Sequence, residues 1–195
     1  MPKIVTDSQV LEAVVQLIEA NGYAGTTTKQ IADIANINEV TLFRKYGSKA
    51  QLVKEAISYY ADHSEVETAV QYSGDLEADL RRVVMAYYGA AELHAKVFPI
   101  IMSEIARVPE LRETAGVPLG IIAKIAHLLQ RYQDEGKLRP ENPFQAVGAL
   151  LGPLIINTMV REAGVIDSEE IVDLDEHVVA YLYGRIIPTS QNPPT

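Results

Sequence analysis

Thr27-Thr28-Lys29-Gln30-Ile31-Ala32-Asp33-Ile34-Ala35-Asn36-Ile37-Asn38-Glu39-Val40-Thr41-Leu42-Phe43-Arg44-Lys45-Tyr46-Gly47-Ser48-Lys49 is the stretch on which the fold turns. Thr27-Thr28-Lys29-Gln30 has the capping-box pattern, in which a threonine and a glutamine three residues on satisfy each other's backbone N–H groups at a helix start. It opens a short helix to about Ala35, with Ile31 and Ile34 expected inward. Asn36-Ile37-Asn38 interrupts it, and a second short amphipathic stretch follows from Glu39 to Tyr46. Gly47-Ser48 then separates that stretch from a longer helix beginning near Lys49 and carrying Leu52, Val53, Ile57 and Tyr60. Two short helices joined by a three-residue turn form a helix-turn-helix, which needs apolar backs to lock the pair at a fixed angle. Ile31, Ala32, Ile34, Ala35, Ile37 and Leu42 supply those backs, and the alanines permit close approach. Thr28, Lys29, Asn38, Glu39, Thr41, Phe43, Arg44 and Lys45 are left on the opposite side.

Outward from this unit the helical period persists. Thr6-Asp7-Ser8-Gln9 is a second capping box, ahead of a helix with Val10, Val14, Leu17 and Ile18 on one face that ends at Asn21-Gly22. Beyond residue 70, a helix of about twenty residues begins near Tyr72-Ser73-Gly74-Asp75, and a shorter one runs from Val97 to Arg107 and stops before Pro109. Another runs from Pro118 to Asp134-Glu135-Gly136, with Ile121, Ile122, Ile125, Leu128 and Leu129 inside. The next covers about Phe144 to Glu162, with a kink expected at Gly152-Pro153. Asp167-Ser168-Glu169-Glu170 is read as the cap of the last helix, which carries Val178, Val179, Leu182 and Ile186. No stretch sustains the alternation of a half-buried strand. The expectation is an all-α chain of about nine helices: a helix-turn-helix domain over 1–48, a larger helical domain over 49–187, and a disordered proline-rich tail over 188–195.

A 48% hydrophobic composition with 22% charged residues is ample for a packed core. The absence of cysteine excludes disulfides, thiol catalysis and thiolate metal sites. No leader pattern opens the sequence, and the apolar run Ala146 to Ile156 reads as too short to span a bilayer, so a cytoplasmic location without membrane attachment is expected. The net charge is −9, yet the first sixty residues hold six cations and six anions, so the whole acidic surplus lies beyond them. Three of the six cations cluster in Arg44–Lys49, and the N-terminal part can face a phosphate backbone while the remainder repels it.

With these residues in order, the sequence resembles the TetR family of bacterial regulators. Gly22-Tyr23-Ala24-Gly25-Thr26-Thr27-Thr28-Lys29-Gln30-Ile31-Ala32 and Val40-Thr41-Leu42-Phe43-Arg44-Lys45-Tyr46-Gly47-Ser48-Lys49 follow that family's pattern, and Glu135-Gly136-Lys137-Leu138-Arg139-Pro140 is similar to a turn common in it. The resemblance covers roughly the first 55 residues; the later helices agree in number, order and length. It implies phosphate contacts from Thr28, Asn38, Thr41, Arg44, Lys45 and Lys49, the last expected to be strongest because it sits at a helix N-terminus. It also implies base contacts from Lys29, Glu39 and Phe43: lysine donates to guanine, glutamate accepts from cytosine, and an aromatic edge packs on a thymine methyl. Asn36 stands where the family usually has glycine, Val40 where it often has glycine, and Phe43 where it commonly has tyrosine. Ordinary hairpin packing with solvated cations accounts for any one of these features, but not for all of them in this order.

A reader of palindromic double-stranded DNA needs two heads about 34 Å apart, hence a homodimer. The last two helices are the expected interface, through Ala146, Leu150, Leu151, Leu154, Ile155 and Thr158 with Val178, Val179, Leu182 and Ile186. The resemblance further implies an effector pocket among the middle helices, for an apolar or aromatic small molecule lined by Tyr87, Tyr88, Phe98, Met102, Ile122 and Met159, with His94, His127 or Asn157 as polar anchors. The function expected is a repressor released from its operator by that inducer. An enzyme is disfavoured: His63, His94, His127 and His177 form no metal-binding pair, and there is no nucleophile elbow or phosphate-cradling loop. No cofactor or metal is expected. A helical adaptor whose helix-turn-helix has lost DNA is the remaining alternative, kept open by Glu39 and the acidic total.

Overall fold

The computed structural model describes residues 6–62, 65–162, 164–165 and 172–186. Among them the chain is all-helical, and the only extended pairing is an isolated antiparallel bridge between Leu138 and Ile186. The helices are α1 (Asp7–Gly25), α2 (Thr28–Ile34), α3 (Glu39–Tyr46), α4 (Lys49–Asp62), α5 (Glu65–Ala69), α6 (Leu76–Glu104), α7 (Gly116–Asp134), α8 (Pro143–Glu162) and α9 (Leu174–Leu182), with a 3-10 helix at Pro109–Ala115. Both capping boxes form. Gln9 Oε1 accepts from the Thr6 N–H at 3.1 Å. At α2, Gln30 Oε1 accepts from the Thr27 N–H at 2.8 Å while Thr27 Oγ1 accepts from the Gln30 N–H at 3.2 Å. Gly22, at φ +70°, breaks the regular path of α1 where Asn21-Gly22 was read as its end.

Two expectations about helix boundaries change. The two helices anticipated between residues 75 and 107 are one continuous α6, because Leu93-His94-Ala95-Lys96 contains no residue that stops a helix and leucine, alanine and lysine are good helix formers. Helix α9 starts at Leu174, where Asp173 caps it by accepting from the Glu176 N–H. The cap anticipated at Asp167–Glu170 and the tail at 188–195 lie outside the described residues.

The chain divides into two compact units, one of residues 1–64 and 93–118, the other of 65–92 and 119–195. The core of the first joins Val14 and Ile18 of α1, Ile31 of α2, Leu42 of α3 and Leu52, Val53 and Ala56 of α4 with Ile101 and Leu111. Each large aliphatic side chain sealed there contributes about 1.5–3 kcal/mol. Ile34, expected inward, is 53% exposed. The buried positions of α2 and its end are Ile31, Ala32 and Ala35, and Ile34 lies roughly 100° around the helix from their centre.

In the second unit α6 and α7 pack Leu80, Val83, Val84, Ile125, Leu129 and Tyr132 against α8 and α9. This settles the facing of the last two helices. Ala146, Leu150, Leu151, Leu154 and Thr158 of α8, with Val178 and Leu182 of α9, are buried within the single chain, so they are core and not a surface for a partner. Ile155 is half-buried, and Val179 and Ile186 are exposed. The face α8 turns outward is instead Phe144, Gly148, Ile156 and Met159. The uncharged stretch is also longer than Ala146 to Ile156: Pro143–Arg161 is long and apolar enough to cross a membrane by length and composition, with a third of it buried in the fold. The stretch is therefore long enough to span, contrary to expectation, and α8 also has a packed inner face.

The polar centre of the second unit is Asp79, a fully buried carboxylate on α6. It accepts from the Ser73 N–H at 2.8 Å, Ser73 Oγ at 2.5 Å, the Tyr132 hydroxyl at 2.5 Å and Arg82 at 2.7 Å. Burial opposes its ionisation, but these donors together outweigh burial and bring its pKa down to about 2.

Candidate functional site

The turn between α2 and α3 is built by two residues with local reasons to be there. Asn36 has φ +54°, the left-handed conformation that asparagine tolerates better than most side chains. It closes α2 as glycine would: the Asn36 N–H donates to Asp33 O at 3.2 Å and the Ile37 N–H to Ala32 O at 2.9 Å, the paired bonds of a Schellman motif. Two residues later Asn38 caps α3, its Oδ1 accepting from the Val40 N–H at 2.8 Å. Between them these bonds fix the angle at which α3 leaves α2.

On α3, Leu42 is buried beneath the helix while Val40, Thr41, Phe43, Arg44 and Lys45 are exposed. Lys29 of α2 and Asn38 are exposed beside them. Six of the eight side chains expected on that face are thus exposed. Several of the eight already have partners. Thr28 and Glu39 are half-buried, and the Thr28 hydroxyl donates to the Glu39 carboxylate at 2.7 Å, tying the first residue of α2 to the first of α3. Lys45 forms an exposed ion pair with Asp7 at the start of α1, and that bond raises its pKa. Lys29 and Arg44 have no hydrogen bond or ion pair among the described residues, which makes them the uncommitted cations of this surface.

Lys49 departs furthest from expectation. Its ammonium turns back into the protein, donating to Tyr23 O at 2.8 Å and Thr26 O at 2.9 Å and standing 4.0 Å from the centre of the Tyr23 ring. Burial pushes its pKa down. Thr26, itself buried, donates its hydroxyl to Leu17 O and Gly22 O, so the segment between α1 and α2 is stapled from both ends. The lysine expected to be the strongest phosphate contact is thus committed to holding the loop that positions α2. The N-terminus of α4 is capped by Ser48, whose Oγ accepts from the Gln51 N–H at 3.1 Å.

The residues expected to enclose an effector are distributed less evenly. Tyr87, Tyr88 and Ile122 are half-buried and pack on the core of the second unit, and burial raises the pKa of Tyr87. Asn157 is half-buried with its Oδ1 sealed off and unpartnered, as a polar anchor would be. His127 and Met159 are exposed, which removes them from any interior lining of this unit. The side chains of His94, Phe98 and Met102 lie outside the described ones. Sequence reading missed Arg161, one turn beyond Asn157, whose Nη1 donates to the Tyr88 hydroxyl at 2.7 Å. The available signal was its place as the first charge after the uncharged run from Pro143 to Val160. Among the described residues no group of three or more His, Asp or Glu side chains could hold a metal ion.

The pattern described as "Bacterial regulatory proteins, tetR family" matches residues 10–56, which takes in most of α1, all of α2 and α3, and the first half of α4. An uncharacterized HTH-type transcriptional regulator of Bacillus subtilis is 39% identical over 80 residues, 40% of this chain and 41% of that protein. The chain thus spans about two fifths of the length of this relative. Among solved structures, a Clostridium perfringens protein described as a fatty acid metabolism regulator superposes with TM-score 0.76 at 21% identity, covering 92% of this chain and 99% of its own. A flavonoid-responsive regulator superposes with TM-score 0.67 at 20% identity, covering 93% and 97%. At such identities the two structures speak to the fold alone.

Proposed function

We propose, from the premise that this chain is a helix-turn-helix transcriptional regulator of the TetR family, that it binds a palindromic DNA operator as a homodimer and releases it when a small molecule occupies the second unit. The observation that carries the reading is α3: a short helix capped at a fixed angle, with Leu42 buried and Thr41, Phe43, Arg44 and Lys45 exposed around the rest of its surface. That is the geometry a recognition helix needs to enter a major groove. Arg44 is the foremost phosphate contact, joined by Lys45 once Asp7 yields it, and by Asn38 and Thr41. Lys29 and Phe43 are the foremost base contacts, with Glu39 reading through the carboxylate oxygen that Thr28 leaves open.

Dimer formation is supported by apolar side chains left exposed on the single chain: Phe144, Ile156 and Met159 of α8, Val179 of α9, and Tyr183 and Ile186 just beyond its end. Covering such side chains with a second copy removes them from water. A cytoplasmic location follows from that role, since the operator is there. Response to a small molecule is supported by the flavonoid-responsive protein of the same fold and by the buried polar atoms of the second unit that lack partners.

A gel shift with duplex from the upstream region of the chain's own gene tests the reading, run over a series of salt concentrations. Binding that saturates, prefers that duplex to scrambled DNA and weakens steeply with salt is the expected result. Indifference to every duplex at low ionic strength refutes it.

A further inference from the structure

Near the C-terminal end of α8, Arg161 carries a guanidinium that the fold satisfies on one side only. Its Nη1 is held by the Tyr88 hydroxyl, but its Nε is buried without a hydrogen-bond partner, and no carboxylate among the described residues pairs with it. One turn earlier, Asn157 Oδ1 is likewise buried and unpartnered, so a donor and an acceptor lie on neighbouring turns without bonding to each other. A buried N–H on a permanent cation is costly to leave without an acceptor, and folded proteins rarely keep such a group without a use.

The geometry of the unsatisfied part specifies what would complete it. With Nη1 occupied, the unpaired Nε lies on the edge it shares with Nη2, the edge through which a guanidinium receives a carboxylate by two parallel N–H···O bonds. The Tyr88 hydroxyl holds the other side of that fork in place. Asn157 Oδ1 accepts, so its complement is a hydroxyl.

We propose that Arg161, oriented by Tyr88, anchors the carboxylate of the effector, and that the effector is an apolar or aromatic organic acid whose hydroxyl, where it has one, donates to Asn157. This rests on the reading of the second unit as the effector-binding half. It replaces His127 by an arginine as the polar end of the site, and it predicts discrimination between an acid and its uncharged amide.

The test uses the full-length protein with 4-hydroxyphenylacetate and decanoate, each against its own primary amide, followed by thermal shift and titration calorimetry. At least one acid is expected to raise Tm and to bind roughly ten- to a hundredfold more tightly than its amide. Arg161→Met is expected to bind acid and amide alike while its circular dichroism and urea midpoint stay at or above those of the unmodified chain, because it removes an unpaired buried cation. Arg161→Lys keeps the charge without the fork, and is expected to lose about tenfold in acid affinity. The proposal is overturned if neither acid binds, if acids and amides bind equally, or if Arg161→Met retains the preference. A gel shift without probe reads DNA binding separately: intact duplex binding with indifference to acids removes the anchor alone, whereas acid binding through Arg161 without operator release leaves the anchor standing and removes the induction mechanism.

Discussion

Replacing Lys49 by methionine separates a residue that grips DNA from one that holds the reading unit together. Methionine keeps most of the length and apolar stem and removes the ammonium. Two bonds from a charged donor to the carbonyls of Tyr23 and Thr26, at 2.8 and 2.9 Å, disappear together with the contact to the Tyr23 ring. Bonds to a charged group contribute roughly 1.5–3 kcal/mol each, and a cation over an aromatic ring about 0.5–1 kcal/mol at partly exposed sites. Desolvation of the ammonium, which also pushes its pKa down, offsets much of that gain. The net loss expected is about 2 kcal/mol. Urea unfolding followed by circular dichroism should show a midpoint lower by roughly 1 M at unchanged slope. The salt dependence of duplex binding, measured below the unfolding range, should keep its slope, because no phosphate contact is lost. A variant as stable as the unmodified chain, with the salt slope reduced by about one, would refute the loop-staple account and return Lys49 to the DNA surface.

Four further outcomes follow from the same geometry. Arg44→Ala should weaken binding to all duplexes and lower the salt slope by about one per reading head, read by gel shift from 50 to 200 mM salt. Asn36→Ala should cost about 1–2 kcal/mol in urea unfolding and Asn36→Gly nothing or less, because only the alanine resists φ +54°. Asp79→Ala should cost about 3 kcal/mol by leaving the Tyr132 hydroxyl and Arg82 without their acceptor. The same carboxylate gives a pH dependence: its folded pKa of about 2 lies below the ordinary value of 3.8, so its contribution is complete above pH 4 and fades as pH falls towards 2. An acid titration in which Asp79→Ala and the parent lose stability in parallel through that range would contradict it. Ile156→Glu, on the outward face of α8, should shift the sedimentation coefficient from dimer to monomer while leaving the helical signal unchanged, since Ile156 is 59% exposed in the single chain.

What could be read in the sequence was what depends on neighbours in the chain. Both capping boxes, the break at Asn36-Ile37-Asn38 and the exposure of Thr41, Phe43, Arg44 and Lys45 around a buried Leu42 are decided within four or five residues. What could not be read depends on distant partners or on phase. Whether Lys49 points to solvent is settled by carbonyls more than twenty positions earlier, and Lys45 meets an aspartate 38 residues away. Helix α8 is apolar nearly all round, so no periodicity indicates which stripe faces its own core, and the stripe read as a dimer surface is the inner one. On α2, where two alanines compete with two isoleucines for one buried face, residue type points to Ile34 and packing selects Ala35. Arg161 escaped notice because an arginine at a helix end is ordinarily a solvated charge, and its sealed Nε is visible only in three dimensions.

The bond between the Thr28 hydroxyl and the Glu39 carboxylate has a bearing on selectivity. A free glutamate samples many rotamers, and freezing them during docking would blunt whatever preference it expresses between one base pair and another. Here that freedom is lost when the chain folds, well before any encounter. A mismatch at the step Glu39 faces under the proposed function is then felt at nearly full strength, since a pre-set side chain cannot swing aside to escape it.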